Sequence, residues 1–158
     1  MNRKNKGISP VVATVIIVAI AIALAMAVAL WASGLVGIFT RFEEVKIVSA
    51  YAESGKSLGG TSYQFIVNMT LRNTGSADAT IDNVIINGKP YTALTGVDIY
   101  IGGTKKDPAT SGEPLAAGET KTLGIGIATA AGFKSGQTLD IKIHTSAGHE
   151  YAKAVVLP

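Results

Sequence analysis

Along these 158 residues the hydrophobic pattern changes its period once, near Arg41. Before that point, Ile8 to Phe39 form a run of thirty-two residues without a charge. The run is longer than the roughly 7–15 apolar residues of a secretory signal core and longer than the roughly 20 that cross a bilayer. Val, Ile, Leu, Met and Ala recur on every side of a helix built from it, so that helix has to be surrounded, by lipid or by other protein. After Arg41 the period becomes two. Tyr63, Phe65, Val67, Met69 and Leu71 alternate with Gln64, Ile66, Asn68, Thr70 and Arg72, as a half-buried strand requires. Val45, Ile47 and Ser49 alternate less cleanly with Lys46, Val48 and Ala50. Further strands are predicted at Ala79–Ile86, Val97–Ile101, Thr120–Ile127, Thr138–His144 and Tyr151–Leu157. Turn residues separate them, among them Asn73-Thr74-Gly75, Asn87-Gly88-Lys89, Gly102-Gly103, Ala117-Gly118-Glu119, Ser135-Gly136 and Ala147-Gly148. Asn-Gly between apolar runs is the strongest short hairpin signal. Seven or eight short strands with no second amphipathic helix predict an α+β chain, a long N-terminal helix followed by an all-β sandwich.

The helix is expected to start at Ser9-Pro10, because serine caps well and proline fits the first turn, where its missing N–H has no partner. From Pro10 to Phe39 it would measure about 45 Å. Ala19, Ala23 and Ala27 share one face, and Ala21, Ala25 and Ala29 an adjoining one. Rows of small residues four apart let helix backbones approach closely. Gly34 and Gly37 weaken the outer end and mark a place to bend or fray.

Charge sharpens the division into parts. The chain has 14 basic and 11 acidic residues. Arg3, Lys4 and Lys6 stand in the seven-residue leader, and without them eleven basic residues face eleven acidic ones. No basic stripe remains to follow a phosphate backbone, which argues against nucleic acid as a specific partner. Three cations before the run, against Arg41 followed by Glu43 and Glu44, keep the N-terminus cytoplasmic and send the remainder outside. An exported domain without a single cysteine relies on packing and hydrogen bonds rather than disulfides. The expected organisation is a leader at 1–7, an apolar helix at 8–40 and a head at 41–158.

No motif supplies catalytic chemistry. Ala50 to Ser57 (AYAESGKS) fits a relaxed phosphate-loop pattern, yet that chemistry needs a helix N-terminus after the loop. Ser57-Leu58-Gly59-Gly60 follows instead, which reads as a hairpin loop. His144 and His149 flank a turn with Glu150 adjacent, but zinc wants three or four protein ligands, and solvent-facing hairpin positions explain them. Gly124-Ile125-Gly126 lies inside a strand pattern and opens no helix, so it does not read as a dinucleotide site. No nucleophile has a triad context. No cofactor, metal or enzymatic activity is expected. Asn68-Met69-Thr70 is the one Asn-x-Ser/Thr sequon, with Asn68 on the polar side of its strand as a candidate N-glycosylation site.

At the leader junction the chain resembles the precursors of archaeal type IV pilins. The residues that carry the resemblance are Lys6-Gly7 followed by Ile8-Ser9-Pro10-Val11-Val12-Ala13-Thr14 and the Ala/Val/Ile helix behind them. Leu71 to Ser76 and Leu115 to Thr120 are similar in style to segments of archaeal Ig-like pilin heads. The resemblance implies a class III signal peptide cut by a prepilin peptidase after Gly7, with Ile8 as the mature N-terminus. It implies an adhesion-type pilus subunit, made at the cell membrane as a precursor and assembled by an ATPase and a membrane platform protein. The mature protein would be an extracellular filament, a homopolymer with helices inside and glycosylated β-sandwich heads outside. Bacterial pilins and archaellins usually carry a glutamate five residues into the mature chain. Val12 stands there, with Thr14 the nearest polar side chain, which favours the adhesion-type pilin. Two other readings stay open on the residues. One is an uncleaved, membrane-anchored β-sandwich binding module. The other is a secretory cut after an Ala-x-Ala triplet such as Ala27-Val28-Ala29.

Overall fold

The computed structural model describes residues 9–39 and 41–158, with side chains in the first stretch as far as residue 34. The chain divides into two compact units, one ending at Arg41 and one running from Phe42 to Pro158. The leader and the Gly7–Ile8 bond lie outside the described residues.

Helix α1 spans Pro10–Phe39. Ser9 precedes it, and its carbonyl accepts the first helical hydrogen bond, from the Ala13 amide at 3.1 Å. The helix continues through Gly34 and Gly37 without a break. One expectation needs correcting. Ala25 follows Ala23 by two residues, a rotation of about 200° at 3.6 residues per turn. The Ala21–Ala25–Ala29 row therefore lies nearly opposite the Ala19–Ala23–Ala27 row, not beside it.

The second unit is a β-sandwich. Its strands are β1 Val45–Ser54, β2 Ser57–Leu58, β3 Thr61–Ser62, β4 Phe65–Asn73, β5 Ala79–Ile86, β6 Lys89–Pro90, β7 Val97–Ile101, β8 Thr104–Lys106, β9 Glu113–Leu115, β10 Thr120–Ile127, β11 Thr138–Thr145 and β12 Glu150–Val156. A single helical turn, α2 Pro108–Ser111, sits between β8 and β9. One sheet runs β1-β4-β10-β7-β8; the other runs β12-β11-β5-β6, with β9 also on β5. These strands pair antiparallel throughout both sheets. Phe65, Val67, Met69 and Leu71 of β4 and Leu123, Ile125 and Ile127 of β10 face Ile81, Val84 and Ile86 of β5 and Leu139, Ile141 and Ile143 of β11 in one core. Burial of these alternate residues is the main force holding the layers together.

Strands β5, β7 and β10 coincide with their expected spans. Asn87-Gly88 forms the expected two-residue turn between β5 and β6, both residues having positive φ (50° and 77°), as a primed hairpin turn demands. Three details depart from simple alternation. In β1 the register shifts between Ile47 and Ser49, so Val48 is an extra residue, 63% exposed, and Ala50 and Ala52 turn inward in place of Ser49. In β5 the register shifts opposite His144 and Thr145, so Ile81 and Val84 both reach the core with Asp82 and Asn83 between them. Tyr63, which the alternation assigns to the same face as Phe65, precedes β4 and packs on the opposite face with Ile66 and Tyr100.

Thr145 is fully buried, and its hydroxyl has no hydrogen-bond partner among the described residues. Such a group keeps its desolvation cost. Thr145→Val is expected to stabilise the head by about 1 kcal/mol, read as a rise of roughly 4 °C in thermal midpoint; a lower midpoint would refute it.

Candidate functional site

Helix α1 holds the strongest chemical demand in the chain. Pro10–Gly34 is long and apolar enough to cross a membrane, and none of it is buried. Leu24, Met26, Val28, Leu30 and Trp31 are all exposed. Its few polar side chains are satisfied within the helix: Thr14 Oγ1 donates to the Val11 carbonyl at 2.8 Å and Ser33 Oγ to that of Ala29. Back-bonding of this kind lets hydroxyls sit in an apolar surrounding. Trp31 lies about 32 Å along the axis from Pro10, close to one hydrocarbon thickness, where indole rings gather at membrane interfaces. Trp31 is not among the residues expected from sequence to matter, although an indole near the outer end of an apolar run is a recognisable signal. Among the site residues named from sequence, Pro10, the six alanines, Gly34 and Gly37 all belong to this one element, Ser9 immediately precedes it, and Asn68 belongs to the head.

Asn68 lies on the outer face of β4, half-buried, with Nδ2 donating to Glu53 at 3.3 Å. Nδ2 is the atom an N-linked sugar would take, so glycosylation there would first release Glu53. Glu53 also holds Lys56 at 2.6 Å, an ion pair that raises the Lys56 pKa. The phosphate-loop-like segment is thereby accounted for. Residues 55–64 form a hairpin closed by Gly55 N–H to Gln64 O and Tyr63 N–H to Lys56 O, with β2 where a nucleotide site would need a helix.

That hairpin lies on the outer face of the first sheet and explains Gly124 and Gly126. A Cβ on Gly124 would stand 2.8 Å from Leu58 Cδ2, and one on Gly126 2.6 Å from the Tyr63 ring. The Tyr63 hydroxyl donates to Asp98 at 2.6 Å and lies 2.9 Å from the Tyr100 hydroxyl. The two rings meet edge to face at 6.1 Å, and Lys105 completes the cluster at 2.6 Å from Asp98. Burial, then the bonds to Asp98 and Tyr100, push the Tyr63 phenol strongly upward. Burial alone would raise Asp98, but the bonds from Lys105 and Tyr63 outweigh it and hold the carboxyl below its usual range. A phenol pushed toward its protonated form and clamped to a carboxylate pushed toward its ionised form makes a fastening for the hairpin rather than a proton-transfer pair.

His144 lies opposite Glu150 in the β11–β12 ladder, and its Nδ1 is 2.5 Å from the Asp82 carboxylate that the β5 irregularity presents. His149 instead lies in the turn, tilted against Tyr151. The two histidines serve separate partners. Among the described residues no three His, Cys, Asp or Glu side chains are grouped to hold a metal ion.

Glu113 of β9 joins the two sheets. Its carboxylate lies 3.1 Å from Lys121 on β10 and 3.4 Å from Lys106 on β8, while β9 itself pairs with β5. Burial pushes the Glu113 pKa up, but the two lysines prevail and lower it. A carboxyl whose folded pKa is depressed contributes stability above its unfolded pKa, and that contribution disappears as pH falls through the folded value. Glu113→Gln is therefore expected to cost roughly 1 kcal/mol at pH 7, allowing for solvent screening. The difference from the parent should shrink toward zero below about pH 3, under the ordinary carboxylate range. Thermal melts from pH 7 to 2.5 check this, and a gap independent of pH would contradict it.

No family model matches the chain, and no curated protein matches it. Among solved structures it is similar to the archaellum periplasmic stator protein FlaG from Sulfolobus acidocaldarius, at 17% identity over 72% of this chain and 99% of that one, with a TM-score of 0.46. The stator complex of FlaF and FlaG from the same organism matches at 18% identity over 72% of this chain and 89% of that one, TM-score 0.44. The Iho670 flagellar-like filament matches at 14% identity over 94% of this chain and 98% of that one, TM-score 0.38.

Proposed function

We propose that the protein is a structural subunit of an archaeal type IV pilus-like surface filament. The observation that carries this reading is α1, a thirty-residue helix apolar on every side that cannot remain bare in water. Its two alanine rows, nearly opposite each other, offer close approach to a neighbouring helix on two sides at once, which suits a polymer better than a pair. On this reading the leader and α1 first hold the precursor in the membrane, and a prepilin peptidase cuts between Gly7 and Ile8. An assembly ATPase and a membrane platform protein then transfer α1 from lipid to sister helices. Lipid is as apolar as leucine, so this transfer brings little hydrophobic gain and needs external work. Once the filament stands in water, exposing ~2,000 Å² of apolar helix would cost about 50 kcal/mol, and the heads form the outer surface through which adhesion acts.

A second reading keeps the same helix in lipid, as the single-span anchor of an uncleaved surface-binding sandwich. N-terminal sequencing of material sheared from cells separates the two. Fibres whose chains begin at Ile8 are the expected result. Intact leader on detergent-solubilised monomer, with no fibres by electron microscopy, would favour the anchor.

A further inference from the structure

The chain enters the head through a short segment whose fastening is out of proportion to its length. Before β1 begins, the Phe42 amide donates to Ser76 Oγ at 3.1 Å, and the Phe42 carbonyl accepts from the amides of Ser76 and Ala77, both at 3.0 Å. The Glu44 carbonyl accepts from the amides of Thr74 and Gly75 at 2.7 and 3.2 Å. The Glu44 carboxylate takes the Thr74 hydroxyl at 2.9 Å. Residues 42–44 thus continue the β1–β4 ladder past its last pair, Val45 with Asn73, on to the β4–β5 turn.

The turn is shaped for this. A Cβ on Gly75 would stand 2.4 Å from the Phe42 carbonyl oxygen and 2.6 Å from the Glu44 nitrogen. Both obstacles are backbone, so only glycine permits the approach. From the turn the bonding continues inward. Asn73 is fully buried; its Nδ2 donates to the carbonyls of Ala77 and Leu115, and its Oδ1 accepts from Gly75. Its backbone bonds to Glu119 and Gly118, at the entrance to β10, the middle strand of its sheet.

We propose that this clasp is a mechanical joint, which takes tension arriving along the chain from α1 and passes it into the middle of the sandwich instead of peeling β1 from its edge. The inference holds whether α1 is fixed among sister helices or in lipid, since both anchor the chain ahead of Phe42. Force applied at Arg41 meets the clasp first, whereas force applied at the far end of β1 does not.

Force spectroscopy on the full chain in detergent tests it. The sequence has no cysteine, so thiol handles attach only at introduced sites, Arg41→Cys with Pro158→Cys in one geometry and Ser54→Cys with Pro158→Cys in the other. The double variant Thr74→Val, Ser76→Ala removes side-chain bonds of the clasp and keeps the glycine. At constant force it should unfold about tenfold faster than the parent when pulled from Arg41, and at the parental rate when pulled from Ser54. Gly75→Ala should show a larger effect of the same kind; if it does not fold, the double variant still decides. Equal acceleration in both geometries would mean ordinary destabilisation and overturn the proposal, as would no change in either. Filament formation is read in neither geometry, so failure of the filament reading leaves the result intact.

Discussion

Placing a glutamate at Ala23 is expected to abolish surface fibres. Ala23 lies in the middle of α1 and in the middle of one alanine row. In a bundle of sister helices a carboxylate there would lose its water with no cation in α1 to meet it, since Pro10–Phe39 contains none. The effective penalty for burying an unpaired ion is several kcal/mol, and it is repeated at every subunit of the polymer. Insertion of the precursor would also suffer, at about 2.5–3.5 kcal/mol for an acidic residue at a helix centre in lipid, so the glutamate alone does not separate assembly from membrane entry. Ala23→Leu does. It keeps the helix apolar and at home in lipid but removes the close approach that the small side chain permits. Electron microscopy of sheared cells should show few or no fibres for Ala23→Leu, while fractionation still finds the precursor in the membrane at parental amounts. Normal fibres from both variants would sink the packed-helix reading. Leu24→Met, a volume-conserving change at an exposed position about 60° around the helix from the nearest alanine of either row, serves as the control and should assemble.

That prediction rests on the part of the chain most legible in its sequence. An uncharged run of this length has few physical solutions, and α1 follows directly from it. The seven longer strands were legible for a related reason: with one face buried, alternation in β4, β10 and β11 records the facing of each residue. What stayed hidden depends on contacts between residues far apart in the chain. From sequence, Gly124 and Gly126 read only as glycines inside a strand pattern that open no dinucleotide site. In the structure they are the floor on which Leu58 and Tyr63 rest, and nothing near them in the chain announces that hairpin, though glycine inside a strand does signal close approach. The irregularities at Val48 and Asp82 were likewise visible only as blurred alternation, because an extra residue changes the phase of everything after it. The shortest strands, β6, β8 and β9, carry too few residues to display any period. Of the candidate site, the existence and bounds of the helix could be read, though not the opposed placement of its alanine rows or the position of Trp31, whereas the clasp could not be read at all. Asn73-Thr74-Gly75-Ser76 reads locally as a turn, and its real partners, Phe42 and Glu44, lie some thirty residues earlier.

The largest expected loss of stability in the head comes from the residue on which that turn depends. Asn73 is fully buried, a polar side chain at the end of a strand whose other inward residues are Phe65, Val67, Met69 and Leu71. Its amide nitrogen divides its two hydrogens between Ala77 O at 2.8 Å and Leu115 O at 2.9 Å, and its oxygen takes the Gly75 amide at 2.9 Å. The side chain thus joins the β4–β5 turn to β9 of the opposite sheet. Asn73→Ala would open a cavity, take the side-chain donor from the carbonyls of Ala77 and Leu115, and leave the Gly75 amide with only its 3.2 Å bond to Glu44. With each buried unsatisfied group costing about 1–3 kcal/mol, the total is expected to reach at least about 3 kcal/mol, well inside the range that unfolds marginal domains. The thermal midpoint should fall by roughly 12 °C or more. Asn73→Asp distinguishes hydrogen bonding from shape: it retains the acceptor for Gly75 but presents an oxygen to the carbonyls of Ala77 and Leu115, and it should be at least as damaging as alanine at neutral pH. Protonating that aspartate restores one donor, so the loss relative to the parent should narrow as pH falls toward the carboxylate range. A wild-type midpoint for Asn73→Ala would show that water or a shift of the turn replaces the side chain, and would remove the inner half of the path that carries force from Phe42 into the sandwich.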